Sequence, residues 1–288
     1  MLSHLVGILF DGVAYGALLF LISIGLAITL GLMNFINLAH GAFAMLGGYV
    51  AVLAMTRAGV PFLAALALAF VAGGVVGAVF ERGLYRHVYS RSHLDQVLFT
   101  IGLTFMAIAA ASYLFGPGQQ PVQLPPYLTG QVRVAGIDLG AYRLFLIAVV
   151  ALITLALHAL IEHTRFGAQV RASVDNRIAA EGLGIDVARV FSVTFALGSA
   201  LAALGGGMAI DVLGLDPSFP LKYMVYFLLV VAVGGGRTIK GPLVAALILG
   251  VFDVAGKYYV PQVGSFVIYA LMVAMLVLFP AGLFGRRG

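Results

Sequence analysis

Two amides and an imidazole stand three residues apart at Asn34, Asn37 and His40, immediately ahead of an apolar run. Residues three apart share one face of an α-helix, so these groups would form a polar stripe where a membrane helix begins. A stripe of that kind suits the lining of a passage or its gate. The same groups would equally cap the helix start and hydrogen-bond neighbouring helices. Gly41, Gly47 and Gly48 flank it with surface on which another backbone can lie close. Asn34, Asn37, His40, Gly47 and Gly48 are therefore the candidate pathway or gate residues.

A second polar concentration runs from Phe166 to Ile185. Val170, Val174 and Ile178 recur at four-residue spacing, which predicts one apolar helix face. Arg171 with Asp175, and Arg177 with Glu181, have the spacing of helical ion pairs, and Gly182 or Gly184 can end the helix in the left-handed conformation. An element so short and polar cannot span a bilayer, so it must lie across one mouth of the protein. Taken without other information, it is equally an amphipathic connector.

Other chemistry finds no residues to carry it. There is no cysteine, hence no thiol nucleophile, disulfide or Cys-based zinc site. No Ser/His, paired-Asp or HExxH arrangement points to a hydrolase, so neither catalytic residues nor metal ligands are expected. Gly250 to Tyr258 has the wrong glycine spacing for a phosphate-cradling loop, and the glycine triplets at 205–207 and 234–236 complete no dinucleotide fingerprint. Asp11, Glu81, Glu162, Asp211, Asp253 and Lys257 fall near the ends of apolar runs. Asp253 and Lys257 read as a structural i,i+4 pair, and His158 as a packed, hydrogen-bonded residue. No chain of internal carboxylates is left to relay protons.

The elements that must hold these groups follow from composition. The chain is 62% hydrophobic and 9% charged, against about 45–50% and about 25% in soluble domains. Only a bilayer accommodates that much apolar surface, since about 20 apolar residues span its hydrocarbon core. Nine apolar segments are predicted, near 5–30, 38–56, 61–81, 94–115, 142–161, 191–210, 219–234, 241–256 and 264–281, with 219–234 and 241–256 short. The leading residues lack the basic n-region of a signal peptide, so 5–30 reads as a retained span. Many of the 37 glycines fall at close-packing spacing, as in Gly12/Gly16 and Gly73/Gly77. The fold class is all-α, a polytopic transmembrane bundle forming a single domain over 1–288. An irregular loop at 116–141 covers one face and the polar loop 162–189 the other.

The net charge of +5 and pI near 9.6 are not signs of nucleic acid, because no basic run or aromatic-interleaved basic stripe exists. Basic residues favour cytoplasmic loops. With the C-terminus inside, eleven of the sixteen face the cytoplasm, and only Arg57, Arg133, Arg143, Lys222 and Lys257 lie outside. Nine crossings then place the N-terminus outside.

On Met33 to Phe43 and Gly47-Gly48-Tyr49, on Gln96 to Gly102, on Arg171 to Ile185 and on Gly234 to Pro242, the whole chain resembles the LivH-type permease family of branched-chain amino acid importers. Relatives in that family carry urea and other small solutes. The resemblance implies a non-catalytic subunit of the bacterial inner membrane, without a cofactor of its own. ATP and Mg would belong to paired ATPase subunits of the ATP-binding-cassette type, and a second homologous permease and a periplasmic substrate-binding protein complete the assembly. It makes the cytoplasmic loop the ATPase-coupling segment, with Ala172, Ala179, Ala180 and Gly184 at its small positions and Arg171, Asp175 and Asn176 at its polar ones. Transporter bundles are often inverted repeats. Helices beginning near 5 and 191 would enter from opposite sides, with Gly47-Gly48 and Gly234-Gly235 as corresponding turns. The rival class is a secondary transporter or channel working without ATP, which calls for buried ionisable groups. The charge count makes one prediction. In this cysteine-free chain, single cysteines at Thr129 and Arg287 should label from opposite sides of intact cells; same-side labelling overturns the topology.

Overall fold

The fold is known from a computed structural model that describes residues 2–33, 35–122, 124–134, 137–235, 238–279 and 282–283. Its elements in chain order are α1 (Leu2–Met33), α2 (His40–Ala58), α3 (Phe62–Gly83), α4 (His93–Phe115), β1 (Gln131–Val134), β2 (Ile137–Gly140), α5 (Ala141–His163), α6 (Arg165–Asp175), α7 (Arg177–Gly182), α8 (Val187–Leu213), α9 (Phe219–Gly234), α10 (Lys240–Tyr259) and α11 (Gly264–Leu278). Among the described residues seven helices, α1–α5, α8 and α10, are long and apolar enough to cross a membrane, and α9 and α11 are shorter apolar helices. These nine correspond to the nine expected segments. The exception in length is α10, which extends to 20 residues. The loop expected to be irregular at 116–141 contains an antiparallel hairpin, β1 with β2, in which Arg133 and Asp138 pair across the strands at 2.8 Å.

Burial sorts the helices. Of the most apolar window of α1, 83% is buried, and 67% of that of α8, whereas α4 and α5 bury 17% each. The bundle therefore has α1 and α8 at its centre and presents α4 and α5 to lipid.

Glycine explains how the central helices approach so closely. In hydrocarbon no hydrophobic force drives helices together, and association relies on dispersion and hydrogen bonds at short range. A Cβ on Gly12 would lie 2.6 Å from the Val251 Cα, and one on Gly16 would lie 2.6 Å from the Ala246 carbonyl oxygen, so α1 lies directly along α10. On α3, a Cβ at Gly77 would lie 2.5 Å from the Ser199 Cβ, and one at Gly73 would overlap Ala203, which seats α3 along α8. The two central helices cross at Gly25 and Gly198, where backbone faces backbone.

These contacts exchange the two halves of the chain: α1 packs along α10 as α8 packs along α3. The connections agree. The Asn37 carboxamide oxygen accepts the Ala39 N–H at 3.1 Å, and the His40 N–H reaches the Asn37 carbonyl at 3.3 Å, where α2 starts. Where α9 starts, the Asp216 carboxylate accepts the Ser218 N–H at 2.8 Å and the Phe219 N–H reaches the Asp216 carbonyl at 3.0 Å. The same local turn thus opens α2 and α9, and their first turns meet where a Cβ on Gly41 would lie 3.0 Å from the Pro220 Cα. With α1 to α5 each crossing once, α8 runs opposite to α1, so the repeat is inverted. One expectation is corrected. Gly47 and Gly48 sit inside α2, so the counterpart of Gly235 is Gly59, which ends α2 at φ +62°, as Gly235 follows α9 at φ +77°.

A side chain at a backbone crossing should separate the helices. Gly206 is such a place, since its Cβ would overlap the Ala44 carbonyl oxygen, whereas nothing lies within 4 Å of one on Gly102 of α4. Overpacking costs about 1–3 kcal/mol, occasionally more. Gly206→Leu should therefore lower the melting temperature of the purified protein sharply and Gly102→Leu should leave it unchanged; equal effects would remove the basis for the close packing described.

Candidate functional site

The polar stripe is built differently from its sequence spacing. Residues 35–39 are not helical, and α2 begins only at His40, so Asn37 and His40 do not share a helix face. Asn34 lies outside the described residues. Phe35, Asn37, Ala39 and His40 are all buried. The His40 Nε2 donates to the Ile22 carbonyl at 2.7 Å, which is about 16 Å back along α1 from Met33 at a rise of about 1.5 Å per residue. The chain therefore turns back beside α1 as a non-helical stretch before α2 starts.

Non-helical backbone at membrane depth survives only where protein satisfies its polar groups. Here α4 supplies them. Thr100 Oγ1 accepts the Leu38 N–H at 3.2 Å and Thr104 Oγ1 donates to the Leu38 carbonyl at 3.3 Å, while the Asn37 oxygen also accepts the Tyr85 hydroxyl at 3.2 Å. Gln96, one turn earlier on α4, donates to the carbonyls of Tyr89 and Arg91. Neither threonine stood out in the sequence; a hydroxyl every four residues on an otherwise apolar helix was the available signal. Gly47 and Gly48 pack on α8 and its following loop: a Cβ on the first would overlap Ala203, and one on the second would lie 2.9 Å from Leu215.

The loop 162–189 folds as two helices rather than one. The Thr164 hydroxyl caps α6 through the Gly167 N–H at 3.1 Å, and the Asn176 side chain caps α7 through the Ala179 N–H at 2.9 Å. Gly184, at φ +82°, ends α7; the Gly184 and Ile185 N–H groups return to the Glu181 and Ala180 carbonyls, the bond pattern of a Schellman close. Two spacing expectations are corrected. Ile178 leaves the face of Val170 and Val174 and is 82% exposed, as is Leu183 at 81%. Arg171 bonds the Ile161 carbonyl and faces Glu162 at 3.8 Å instead of Asp175, although Arg177 does pair with Glu181 at 2.9 Å. Ala180 is buried with Val170, Val187, Val190 and Phe191, so its small side chain serves the packing of α7 on α6 and α8. Ala179 and Gly184 remain exposed, with Asp175 and Asn176 beside them, and Ala172 is half-buried.

At the same end, Glu81 of α3 accepts hydrogen bonds from Ser192 of α8 and, at 3.3 Å, from the Tyr89 hydroxyl. Burial, followed by the adjacent carboxylate, pushes the Tyr89 hydroxyl well above its ordinary range, which keeps it a proton donor.

Two cavities lie on the α1, α5 and α10 side of the bundle. One, of about 780 Å³, is lined by Ala27, Ile28, His158, Glu162, Arg171 and Lys240 among others. His158, expected to be packed, is exposed to it. The second, of about 490 Å³, is lined by Asp11, Tyr15, Arg143, Tyr226, Asp253 and Lys257 among others. Along α1, Tyr15 borders one cavity and Ala27 the other, about 18 Å apart at the helical rise. Between them Leu18 to Ile22 and Ile24 are fully buried, so α1 is the septum between two vestibules. The carboxylates are deeper than their sequence positions imply, Glu81 being 3% and Asp253 1% exposed, but they lie on different helices and form no relay.

An inverted helical bundle with matching turns before α2 and α9 and a vestibule at each end, closed from one another, defines a membrane transport subunit. Comparison with known proteins narrows the class. Residues 8–276 match the family described as branched-chain amino acid transport system, permease component, and the chain belongs to that family. It is 30% identical to the high-affinity branched-chain amino acid transport system permease protein LivH of Salmonella typhimurium, over 96% of this chain and 94% of that one. It is 26% identical to the corresponding protein BraD of Pseudomonas aeruginosa, over 98% and 96%. A glucose ABC transporter permease protein of Haloferax volcanii is 28% identical over 89% of this chain and 73% of its own. No solved structure matches at comparable significance.

The threonine clamp predicts a local effect. Interhelical hydrogen bonds in membranes contribute about 0.6 kcal/mol on average, and a buried acceptor or donor left unpaired costs about 1–3 kcal/mol. Thr100→Val with Thr104→Val should lower stability by about 1–3 kcal/mol and speed amide exchange at 35–40 far more than in α8. Asn37→Ala, which orphans the Tyr85 hydroxyl, should act in the same direction. A melting temperature unmoved by all three changes would return Asn37 to the passage reading.

Proposed function

We propose that this chain is the membrane permease of an ATP-driven importer that passes branched-chain or related amino acids across the bacterial inner membrane. The family match over nearly the whole chain carries this reading, and the LivH and BraD relatives suggest the solute class. ATP and Mg are handled by partner ATPase subunits of the ATP-binding-cassette type. A second, homologous permease and a periplasmic binding protein complete the importer. The orientation places the N-terminus outside and the C-terminus in the cytoplasm. It rests on the division of the basic residues, eleven of the sixteen falling on the side assigned to the cytoplasm.

The α6–α7 hairpin is the coupling element. Its exposed apolar tip, Ile178 and Leu183 with the adjoining Ala179 and Gly184, enters an ATPase cleft, while Ala180 holds the hairpin on α8. Force applied there reaches the septum, because the hairpin sits below the inner cavity that α1 borders. Asn37, His40, Gly47 and Gly48 act on the pathway indirectly, by fixing where α2 starts and how closely it lies on α8. Asn34, adjoining that connection, is assigned to the same gate region.

Substitutions separate coupling from folding. Ile178→Glu with Leu183→Glu adds two charges to an exposed tip, and about 1–2 kcal/mol lost at an interface is roughly a five- to thirtyfold loss in affinity. This variant should recover several-fold less ATPase on co-purification while melting as the wild type does. Ala180→Glu should lower the melting temperature first, because a carboxylate enters an apolar cluster. Wild-type ATPase recovery and uptake in the Ile178/Leu183 variant would make the hairpin a plain connector.

A further inference from the structure

Asp253 is a buried carboxylate that lines the second cavity. It stands about 9 Å from the end of α10 at the helical rise, and one of its oxygens, Oδ2, accepts the Lys257 ammonium at 2.6 Å. The other, Oδ1, is buried and has no hydrogen-bond partner among the described residues. A carboxylate in such surroundings is costly unless both oxygens are served. The glycine packing of α1 on α10 and the ion pair to Lys257 hold it in place, and neither gives Oδ1 a donor. Lys257 is differently placed: about half of its side chain is exposed, and its ammonium lies 5.6 Å from the centre of the Tyr15 ring.

Around this pair the wall is aromatic. Tyr15, Tyr223, Tyr226 and Tyr269 contribute to the cavity lining from α1, α9 and α11, with Tyr226 and Tyr269 edge to face at 6.5 Å. The volume of about 490 Å³ falls within the range of about 300–1,000 Å³ usual for small-molecule sites. An acceptor without a donor, an accessible cation four residues away and ring faces beside both are complementary to one kind of ligand: a small zwitterion with an ammonium, a carboxylate and an apolar side chain.

The geometry points to this cavity as a site for an α-amino acid within the permease itself, with the ammonium on Asp253 Oδ1, the carboxylate on Lys257 Nζ and the side chain against the tyrosines. This rests on the importer reading above. The ligand's ammonium takes the bond that Oδ1 lacks, and Lys257 turns from bridging Asp253 alone to sharing the ligand carboxylate. No bond is made or broken and no proton need move. Since the cavity stops at the buried stretch of α1, a ligand held there waits above the septum.

The test uses the full chain in lipid nanodiscs, with calorimetric titration of L-leucine, of 4-methylpentanoate, which lacks the ammonium, and of leucinol, which lacks the carboxylate. The wild type should bind leucine at least tenfold more tightly than either analogue. Asp253→Asn should abolish the preference over 4-methylpentanoate, and Lys257→Met the preference over leucinol. The double substitution should be the weakest binder of leucine. A purely structural ion pair, bridged by water, predicts instead that the double substitution recovers whatever the singles lose and that leucine binding is the same in all four proteins; that result overturns the site. Circular dichroism melts identify any variant that fails to fold, in which case the analogue preferences of the wild type and of Tyr226→Leu, expected to bind leucine and both analogues more weakly while keeping the preference for leucine, decide the matter. Uptake of leucine, isoleucine and valine by cells lacking the chain separates the two readings. If uptake is lost yet the wild-type chain binds no leucine, the importer stands and this site falls. If uptake persists and nothing binds, both fall.

Discussion

The structure depends on backbone approaching backbone in a solvent that gives helices no hydrophobic reason to meet. Dispersion decays within an ångström or so of contact, so a bundle in hydrocarbon holds only where side chains are small enough to let peptide groups touch. Gly25 against Gly198, Gly16 against Gly250 and Gly206 against Ala44 supply those places. Everything else is arranged around them: α1 and α8 become the centre because they carry crossings on several faces, and α4 and α5 become the rim because they carry few.

Close packing in turn permits the two breaks. A non-helical stretch such as 35–39 exposes peptide groups that lipid cannot solvate, and it persists because Tyr85 bonds Asn37 and hydroxyls from α4 take the Leu38 N–H and C=O. The same turn chemistry, an amide in one half and a carboxylate in the other, starts α2 and α9. Asn37 and Asp216 thus preserve the repeat in their hydrogen bonds even though the neighbouring residues, Ile36 and Leu38 against Leu215 and Pro217, show no more than apolar character in common.

Much of this was legible in the sequence, for identifiable reasons. Long apolar runs and their punctuation placed the nine helices, since hydropathy is a property of each segment alone. The spacings Gly12/Gly16 and Gly73/Gly77 marked real crossings. What depended on distant partners was not legible. The i, i+3 spacing of Asn37 and His40 suggested a helical stripe, but a local bond to Ala39 and tertiary bonds to Tyr85 and Ile22 hold the segment open. The resemblance placed Ala180 in the coupling segment, and only the fold shows that it is buried against α6 and α8. Asp253 read as a surface pair because α10 was taken to be short; with its full length, the carboxylate lies under the cavity wall. Asn34 and Arg237 fall outside the described residues.

The central position of α1 has a consequence for how the protein is made. Its partners α8 and α10 follow it by more than half of the chain, so α1 is synthesised well before either can bury it. Its mean hydropathy of 2.3 lets it reside alone among lipids, whereas α2 and α10, at 1.3 and 1.4, are far less suited to do so. The less apolar α10 therefore needs a waiting surface, and α1, made long before it, carries that surface, glycines included. Assembly thus resembles late closure around an early, lipid-stable post. Long-range contacts of this kind form slowly and leave intermediates exposed, so a defect at Gly16 or Gly25 would be felt by the cell's membrane quality control before it was felt as lost transport.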